Sequence, residues 1–467
     1  MTHMHVAGSI HADATSPAPL WLTRPDDVNA LTEQLWSKNA SRNAEGELEI
    51  AGRTAASIVA EAGSPVYVID EDDFRTRARQ WRDAFEGWDV YYAGKSFLCT
   101  TVARWIAEEG LGLDVCTGGE LAVALRGGVN PARIGLHGNN KSADELRAAL
   151  HAGVGRIIVD SSNEITRLEQ LCAESGTVAE VMIRVTTGVE AHTHEYIATA
   201  HEDQKFGFSI NGGAALVAMV RSHHSPHLVL KGIHSHIGSQ IFDTNGFEVA
   251  ARRTLKLLAQ FREATGVTLP ELDLGGGFGI SYIKEDTPAT PAELADGLRS
   301  IVEHECRGFG LAVPRISIEP GRAICGPSGT AIYTVGTVKT VELGGGQSRR
   351  YVAVDGGMSD NIRPALYAAE YSAALANRAG DGGPVLSRVV GKHCEGGDIL
   401  VRDEFLPDDI GPGDLIAVPA AGAYSRSMAS NYNHVPRPPV VAVSNGRLST
   451  LLRRETLDDL LALDPGA

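Results

Sequence analysis

Eight short apolar runs punctuate the chain between residues 90 and 318, at 90–92, 113–115, 134–136, 157–159, 181–183, 230–233, 272–274 and 316–318. Polar or glycine-rich residues follow each run, and helix-like stretches fill the gaps. Ser142 with Glu145, and Thr290 with Pro291 and Glu293, have the spacing of helix-capping boxes. Gly110 and Gly266 stand where helices would stop, and Leu255, Leu258 and Phe261 share one helical face. Eight strand-then-helix units predict a (β/α)8 TIM-like barrel, with its active site at the strand C-termini. An open doubly wound sheet is the rival arrangement. The glycine-rich segment 275–279 does not make that sheet a dinucleotide fold, because it lacks GxGxxG spacing and comes late in the chain.

Beyond about residue 327 the pattern changes. Residues 331–341, 350–354, 385–390, 415–418 and 440–443 read as strands without long helices between them. Asn445-Gly446 then reads as a tight hairpin turn. These strands predict a C-terminal β-sandwich or β-barrel domain. The expected division is a disordered tail over 1–20, a barrel over 66–326, and a β domain built from 21–65 plus 327–467.

With 467 residues the chain has room for two such cores. A formal net charge of -16 argues against a nucleic-acid or anionic-membrane partner, since phosphates would be repelled. No stretch approaches the roughly 20 apolar residues of a membrane helix, and the first twenty residues hold no apolar signal-peptide core. Six cysteines lack CxxC or zinc-like spacing, which suggests free thiols in a reducing compartment. A soluble, cytoplasmic protein is expected.

Several residues at predicted strand ends carry reactive chemistry. Lys95 follows the first strand beside two tyrosines, where partial desolvation would ease loss of its proton and suit a Schiff-base nucleophile. A surface or salt-bridged lysine is the plainer alternative. Gly275, Gly276 and Gly277 can bring backbone N–H groups close to an anion, with Ser239 adding a hydroxyl, or they form a structural turn. Glu319 ends the last strand and suits a pyridine nitrogen; an ion pair with Arg322 at the barrel rim is the alternative. His234 and His236, like His192 and His194, raise the question of a metal, but no carboxylate or cysteine spacing completes a zinc pattern. No metal is expected, and a histidine stacked on a flat cofactor is the better use. Cys394, beside Glu395 in the β domain, is the strongest candidate for a reactive thiol, although free cysteine is most often an inert small hydrophobe.

YAGKS, HSHIGSQ, LGGGFG, EPGR, DGGMSDNIRPALY, HCEGGD and AGAYSRSMASNYN occur in this order across roughly residues 66–433. Together they resemble the alanine-racemase-like, fold type III pyridoxal-phosphate (PLP) decarboxylases. The resemblance implies that Lys95 binds PLP covalently, His236 stacks on its ring and Glu319 meets its pyridine nitrogen. It also implies that Ser239, Gly275 to Gly277 and Tyr424 hold the phosphate beside Arg322. Arg322, Arg363 and Tyr367 would bind substrate carboxylate. Cys394 would act as acid and Glu395 as ammonium contact, both reaching in from the partner of a head-to-tail homodimer.

Two positions depart from the family pattern. Ser96 replaces an alanine-like residue after the lysine, and Gly396 replaces a serine in the segment usually written CESGD. The implied substrate is meso-2,6-diaminopimelate, decarboxylated at its D-centre to L-lysine. Arg322 and Arg363 suit a substrate with a distal carboxylate and would repel the bare cation of ornithine or lysine. An ornithine or arginine decarboxylase of the same fold is the nearest alternative, and an inactive binding homologue the one from another class. A racemase would need a tyrosine base opposite the lysine instead of HCEGGD.

Overall fold

The computed structural model describes residues 18–19, 21–189, 204–344 and 346–466. The expected N-terminal tail falls almost wholly outside them, as do His192 and His194. The chain forms two compact units. One comprises Arg75–Gly279 and Thr287–Ile324; the other runs up to Phe74 and adds Ile280–Asp286 and everything from Cys325 on.

The first unit is a closed barrel of eight parallel strands. They are β1 (Asp89–Ala93), β2 (Gly112–Val115), β3 (Ile134–Leu136), β4 (Arg156–Val159), β5 (Ala179–Thr186), β6 (Leu228–His234), β7 (Glu271–Asp273) and β8 (Arg315–Ile318). Each pairs with the next, and Ser317 of β8 meets Asp89 of β1 to close the circle. Closure rules out the open doubly wound sheet. Both expected capping boxes form, at Ser142–Glu145 and Thr290–Glu293. Gly266 ends the helix Asn245–Thr265 with a left-handed φ of 74°.

The barrel interior is more polar than its strands suggest. Because side chains alternate along a strand, Asp89, Arg133, Arg156, Glu271 and Arg315 line one cavity with Tyr91, Asp114, His137, Asp273 and Ser317. Its volume is about 70 Å³. Arg133 pairs with Asp89 at 2.8 Å, Arg315 pairs with the same carboxylate, and Arg156 pairs with Glu271. The apolar residues that mark the strands in the sequence therefore include many that face the surrounding helices. Val90 and Tyr92 are both buried, while Asp89 and Tyr91 line the cavity.

The second unit is sheet-rich. Its main strand order is Ile399–Pro407, Pro384–Val390, Gln347–Val354, Gly329–Gly344, Val66–Asp70, Val440–Ser444 and Arg447–Leu452. Asn445 (φ 49°) and Gly446 (φ 73°) make the expected two-residue turn between the last two strands. Val66–Asp70, which a boundary at residue 66 assigns to the barrel, instead lies between Gly329–Gly344 and Val440–Ser444. Residues ahead of it also belong here. Leu35, Trp36, Leu48, Ile50 and Ile58 pack in one core with Val66, Val68, Ile332, Ala417, Val441 and Val443.

One carboxyl in this unit gives stability a pH dependence. Glu404 accepts the N–H groups of Phe405 (2.9 Å) and Ala373 (3.3 Å), and burial raises its pKa to about 7. In the unfolded chain it ionises near 4.3, so its contribution is complete at low pH and is lost as pH rises through about 7. Glu404→Gln removes that titration. Its melting temperature relative to wild type should be higher at pH 8.5 than at pH 5.5, by the equivalent of ~2 kcal/mol. A difference independent of pH would mean that Glu404 is already ionised in the fold.

Candidate active site at the barrel mouth

Lys95 sits in the single 3-10 turn Gly94–Ser96 that follows β1. The turn is pinned by the Ser96 hydroxyl on the Ala93 carbonyl (2.8 Å) and by Tyr92 Oη on the Phe97 carbonyl (2.7 Å). The Lys95 side chain is exposed, more than partial desolvation would predict. Its charge nevertheless acts on Asp114, Cys116, Glu120, His137, His234 and His236, which places the amine over the barrel mouth.

Beneath it lies a buried polar cluster. Glu319, just past β8, has its Oε1 3.0 Å from His234 Nε2 and 3.5 Å from His137 Nε2. His137 Nε2 is also 3.2 Å from Asp114 Oδ1. Burial lowers the His137 pKa to about 4, and burial with His137 beside it holds that of His234 well below the ordinary value. Both rings are therefore neutral. Burial and the Glu319 charge push Asp114 and Asp273 well above the usual carboxyl range, so Glu319 has neighbours that do not compete with it as anions. Oε1 of Glu319 has no hydrogen-bond partner among the described residues. Such an atom, buried at the mouth of a barrel, is suited to a positively charged group brought from outside.

The two histidines of HSHIGSQ separate, because β6 ends at His234. His236 lies beyond the strand, half-buried, and its Nδ1 accepts the Gly276 N–H at 3.2 Å. Burial and the nearby Lys95 charge hold its pKa well below the ordinary value, so the ring is neutral with its proton on Nε2. The glycine loop has a packing requirement of its own. A Cβ on Gly275 (φ 73°) would meet the Ser235 carbonyl at 2.3 Å, and one on Gly276 the Glu319 carbonyl at 2.2 Å. Gly275 donates its N–H to Asp273 Oδ1 (2.7 Å) and Gly276 donates to His236, so these two donors serve the chain itself. Arg322, buried at the start of the next helix, donates from Nη2 to the Ser239 hydroxyl at 2.7 Å.

The remaining candidates belong to the sheet-rich unit. Arg363 is buried, with its guanidinium 4.6 Å from the Tyr282 ring and 5.5 Å from that of Tyr371, whose hydroxyl accepts from Nη1. Burial works to lower its pKa, but the two tyrosines outweigh burial and the charge is held more firmly than usual. Tyr367 ends the same short helix, Arg363–Tyr367, and is half-buried. Tyr424 has a left-handed φ of 57°, an uncommon conformation for an aromatic residue.

Cys394 and Glu395 are exposed on the hairpin loop between Pro384–Val390 and Ile399–Pro407. That loop is rigidly built. Asp398 accepts from the N–H groups of Met358 (2.6 Å) and His393 (2.8 Å), and His393 Nε2 lies 2.8 Å from the Ser359 hydroxyl. Gly396, where the family pattern has serine, is exposed at its tip.

Sequence reasoning missed Asp114, His137, Asp273 and the tyrosines around Arg363. The signal for the first three was a lone polar residue at or near a strand's C-terminal end, the same signal that marked Lys95 and Glu319. It also missed a cluster that offers three metal-ligating atoms within 4.8 Å of one another, on His137, His234 and Glu319. The sequence had suggested only the pairs His234 with His236 and His192 with His194.

Residues 71–326 match the pyridoxal binding domain of the pyridoxal-dependent decarboxylases. The chain is 55% identical over 442 residues to the diaminopimelate decarboxylase of Mycobacterium tuberculosis, covering 93% of this chain and 98% of that one. It is 46% identical to the diaminopimelate decarboxylase of Bacillus subtilis, covering 91% and 96%. The crystal structure of diaminopimelate decarboxylase from M. jannaschii in complex with L-lysine superposes with a TM-score of 0.85 at 29% identity, covering 92% of this chain and 98% of that one.

Proposed function

The chain belongs to the diaminopimelate decarboxylases, a branch of the pyridoxal-dependent decarboxylases, and on that premise we propose which residues carry the reaction. Its activity is PLP-dependent removal of one carboxyl group from meso-diaminopimelate, giving L-lysine and CO2. The observation that carries the assignment of residues is the unpartnered Oε1 of Glu319, buried at the barrel mouth beneath an accessible lysine.

The residues fit the cofactor. Lys95 would hold it covalently through its aldehyde, and the neutral face of His236 would lie against its ring. Glu319 would meet the pyridine nitrogen and keep its proton in place. Ser239, Arg322, the Gly275 to Gly277 loop and Tyr424 would hold the phosphate, with Gly277 the loop donor not directed at Asp273 or His236. When bound, PLP supplies a conjugated ring that accepts the electron pair left behind as CO2 departs.

The chain's own work is positioning and proton transfer. Arg363, fixed against Tyr282 and Tyr371, would hold the substrate's distal carboxylate with Tyr367 and Arg322. Glu395 would take the distal ammonium, and Cys394 would deliver the proton to Cα. We assign Cys394 and Glu395 to the site of a partner subunit, because both stand exposed on a rigid loop of the sheet-rich unit.

The test is CO2 release from meso-diaminopimelate compared with ornithine, arginine and lysine. Buried groups built for a distal carboxylate are left unpaired by a substrate lacking it, so kcat/KM should favour meso-diaminopimelate by at least about 10³-fold. Comparable release from ornithine would overturn the role given to Arg363.

A further inference from the structure

Glu319 has a second kind of partner available to it. His137, His234 and Glu319 each present one ligating atom, all three lie within 4.8 Å of one another, and all three residues are buried. In a tetrahedral zinc site, ligands about 2.0–2.1 Å from the ion stand roughly 3.4 Å apart. Glu319 Oε1 lies 3.0 Å from His234 Nε2 and 3.5 Å from His137 Nε2, on either side of that value.

These approaches are not hydrogen bonds. Neither ring nitrogen of His234, nor Oε1 of Glu319, has a hydrogen-bond partner among the described residues. The atoms are close without being aligned on one another, as atoms are when each is directed at a point between them. One competitor is present: Asp114 Oδ1 lies 3.2 Å from His137 Nε2, so an ion would have to displace that contact. Asp273, the other carboxyl in this part of the barrel, is occupied by the Gly275 N–H (2.7 Å) and the Ser317 hydroxyl (2.7 Å).

We propose that, in the absence of cofactor, His137, His234 and Glu319 bind a divalent transition-metal ion of the zinc class, and that this ion and PLP exclude one another. Two imidazoles and one carboxylate, with a fourth position left to water, are a recurrent zinc ligand set. Exclusion follows because the same oxygen, Oε1 of Glu319, is the one offered both to the ion and to a protonated pyridine nitrogen. That half of the proposal rests on the role given to Glu319 above; metal binding itself does not. The consequence is a chain that metal can hold back from loading its cofactor.

The probe is zinc chloride, titrated calorimetrically into the full-length protein after cofactor removal and chelator treatment, and into the holoenzyme. The stripped protein should bind one zinc per chain, and the holoenzyme at least tenfold more weakly. Zinc added first should slow the growth of the visible cofactor band when PLP follows, and a chelator should restore it. His137→Ala and His234→Ala should each weaken zinc binding at least tenfold, with circular dichroism verifying their fold. X-ray absorption on the unmodified zinc-loaded protein should show imidazole and oxygen ligands, which keeps the test independent of the variants.

No zinc uptake by the folded, stripped protein would overturn the site. So would sulfur ligands, which would point to a cysteine such as Cys394. Zinc and PLP bound together, with zinc still lost in both histidine variants, would keep the metal site and overturn instead the contact of Glu319 with the cofactor.

Discussion

Lys95→Ala is expected to lose the visible absorption of bound cofactor and to slow CO2 release from meso-diaminopimelate by about 10³-fold or more. The expectation rests on there being no substitute amine at the mouth of the barrel among the described residues. Lys141 is the other lysine whose charge reaches the His137 cluster, and it is buried. Its Nζ donates to the Gly138 carbonyl, the Ile158 carbonyl and Glu164 Oε1, each at 2.7 Å. Its three donors are used and its charge is paired. Adding a soluble primary amine to the variant should restore part of the rate while leaving the protein colourless between turnovers. A Lys95→Ala protein that keeps both its colour and its rate would transfer the role to another amine.

The second large effect concerns two variants that are each expected to be inactive. Lys95→Ala and Cys394→Ala lie in different compact units of the chain, and Cys394 is exposed on its hairpin loop. If each site in a homodimer takes its lysine from one subunit and its cysteine from the other, a hybrid dimer holds one intact site and one doubly damaged site. Equal mixing with free exchange makes half the dimers hybrids, so activity should recover to about a quarter of wild type. The double variant Lys95→Ala/Cys394→Ala, mixed with wild type, supplies the control for exchange. Proven exchange without recovery would mean that each site is built from a single chain.

Much of the barrel was legible because its strands are short, local and marked by apolar runs. All eight runs coincide with barrel strands, within three residues at their ends. Helix caps were legible for the same reason, since Ser142 and Glu145 satisfy one another three residues apart. What failed was non-local. The boundary expected at residue 66 put Val66–Asp70 with the barrel, and the helix Glu71–Ala84 does follow it at once. Its partners come from residues 329–332 and 440–443, and nothing within its own five residues specifies them. Ile399–Pro407 went unread because charged residues interrupt its apolar pattern, although it pairs with Pro384–Val390 along most of its length.

The candidate site divides along the same line. Lys95, Glu319, Cys394 and Arg363 stand in motifs whose order points to them. Asp114 within β2 and His137 just past β3 are single polar residues beside apolar ones, and only closure of the barrel brings them to Glu319, about two hundred positions away. Arg363 was legible as a cation, but its aromatic cage was not. Tyr282 comes from a stretch of seven residues, Ile280–Asp286, that leaves the barrel's sequence to join the other unit.

The placement of Val66–Asp70 also imposes an order of events on a growing polypeptide. One flank of this strand is covered only by Val440–Ser444, about 370 residues further along the chain. At about 5–20 residues per second, that flank stays open for roughly 20–75 s. Throughout that interval a five-residue segment, apolar but for Asp70, offers bare backbone groups to any passing chain. A nascent chain stopped short of residue 440 would never cover them, so premature termination before that point should leave an aggregation-prone product rather than a working enzyme.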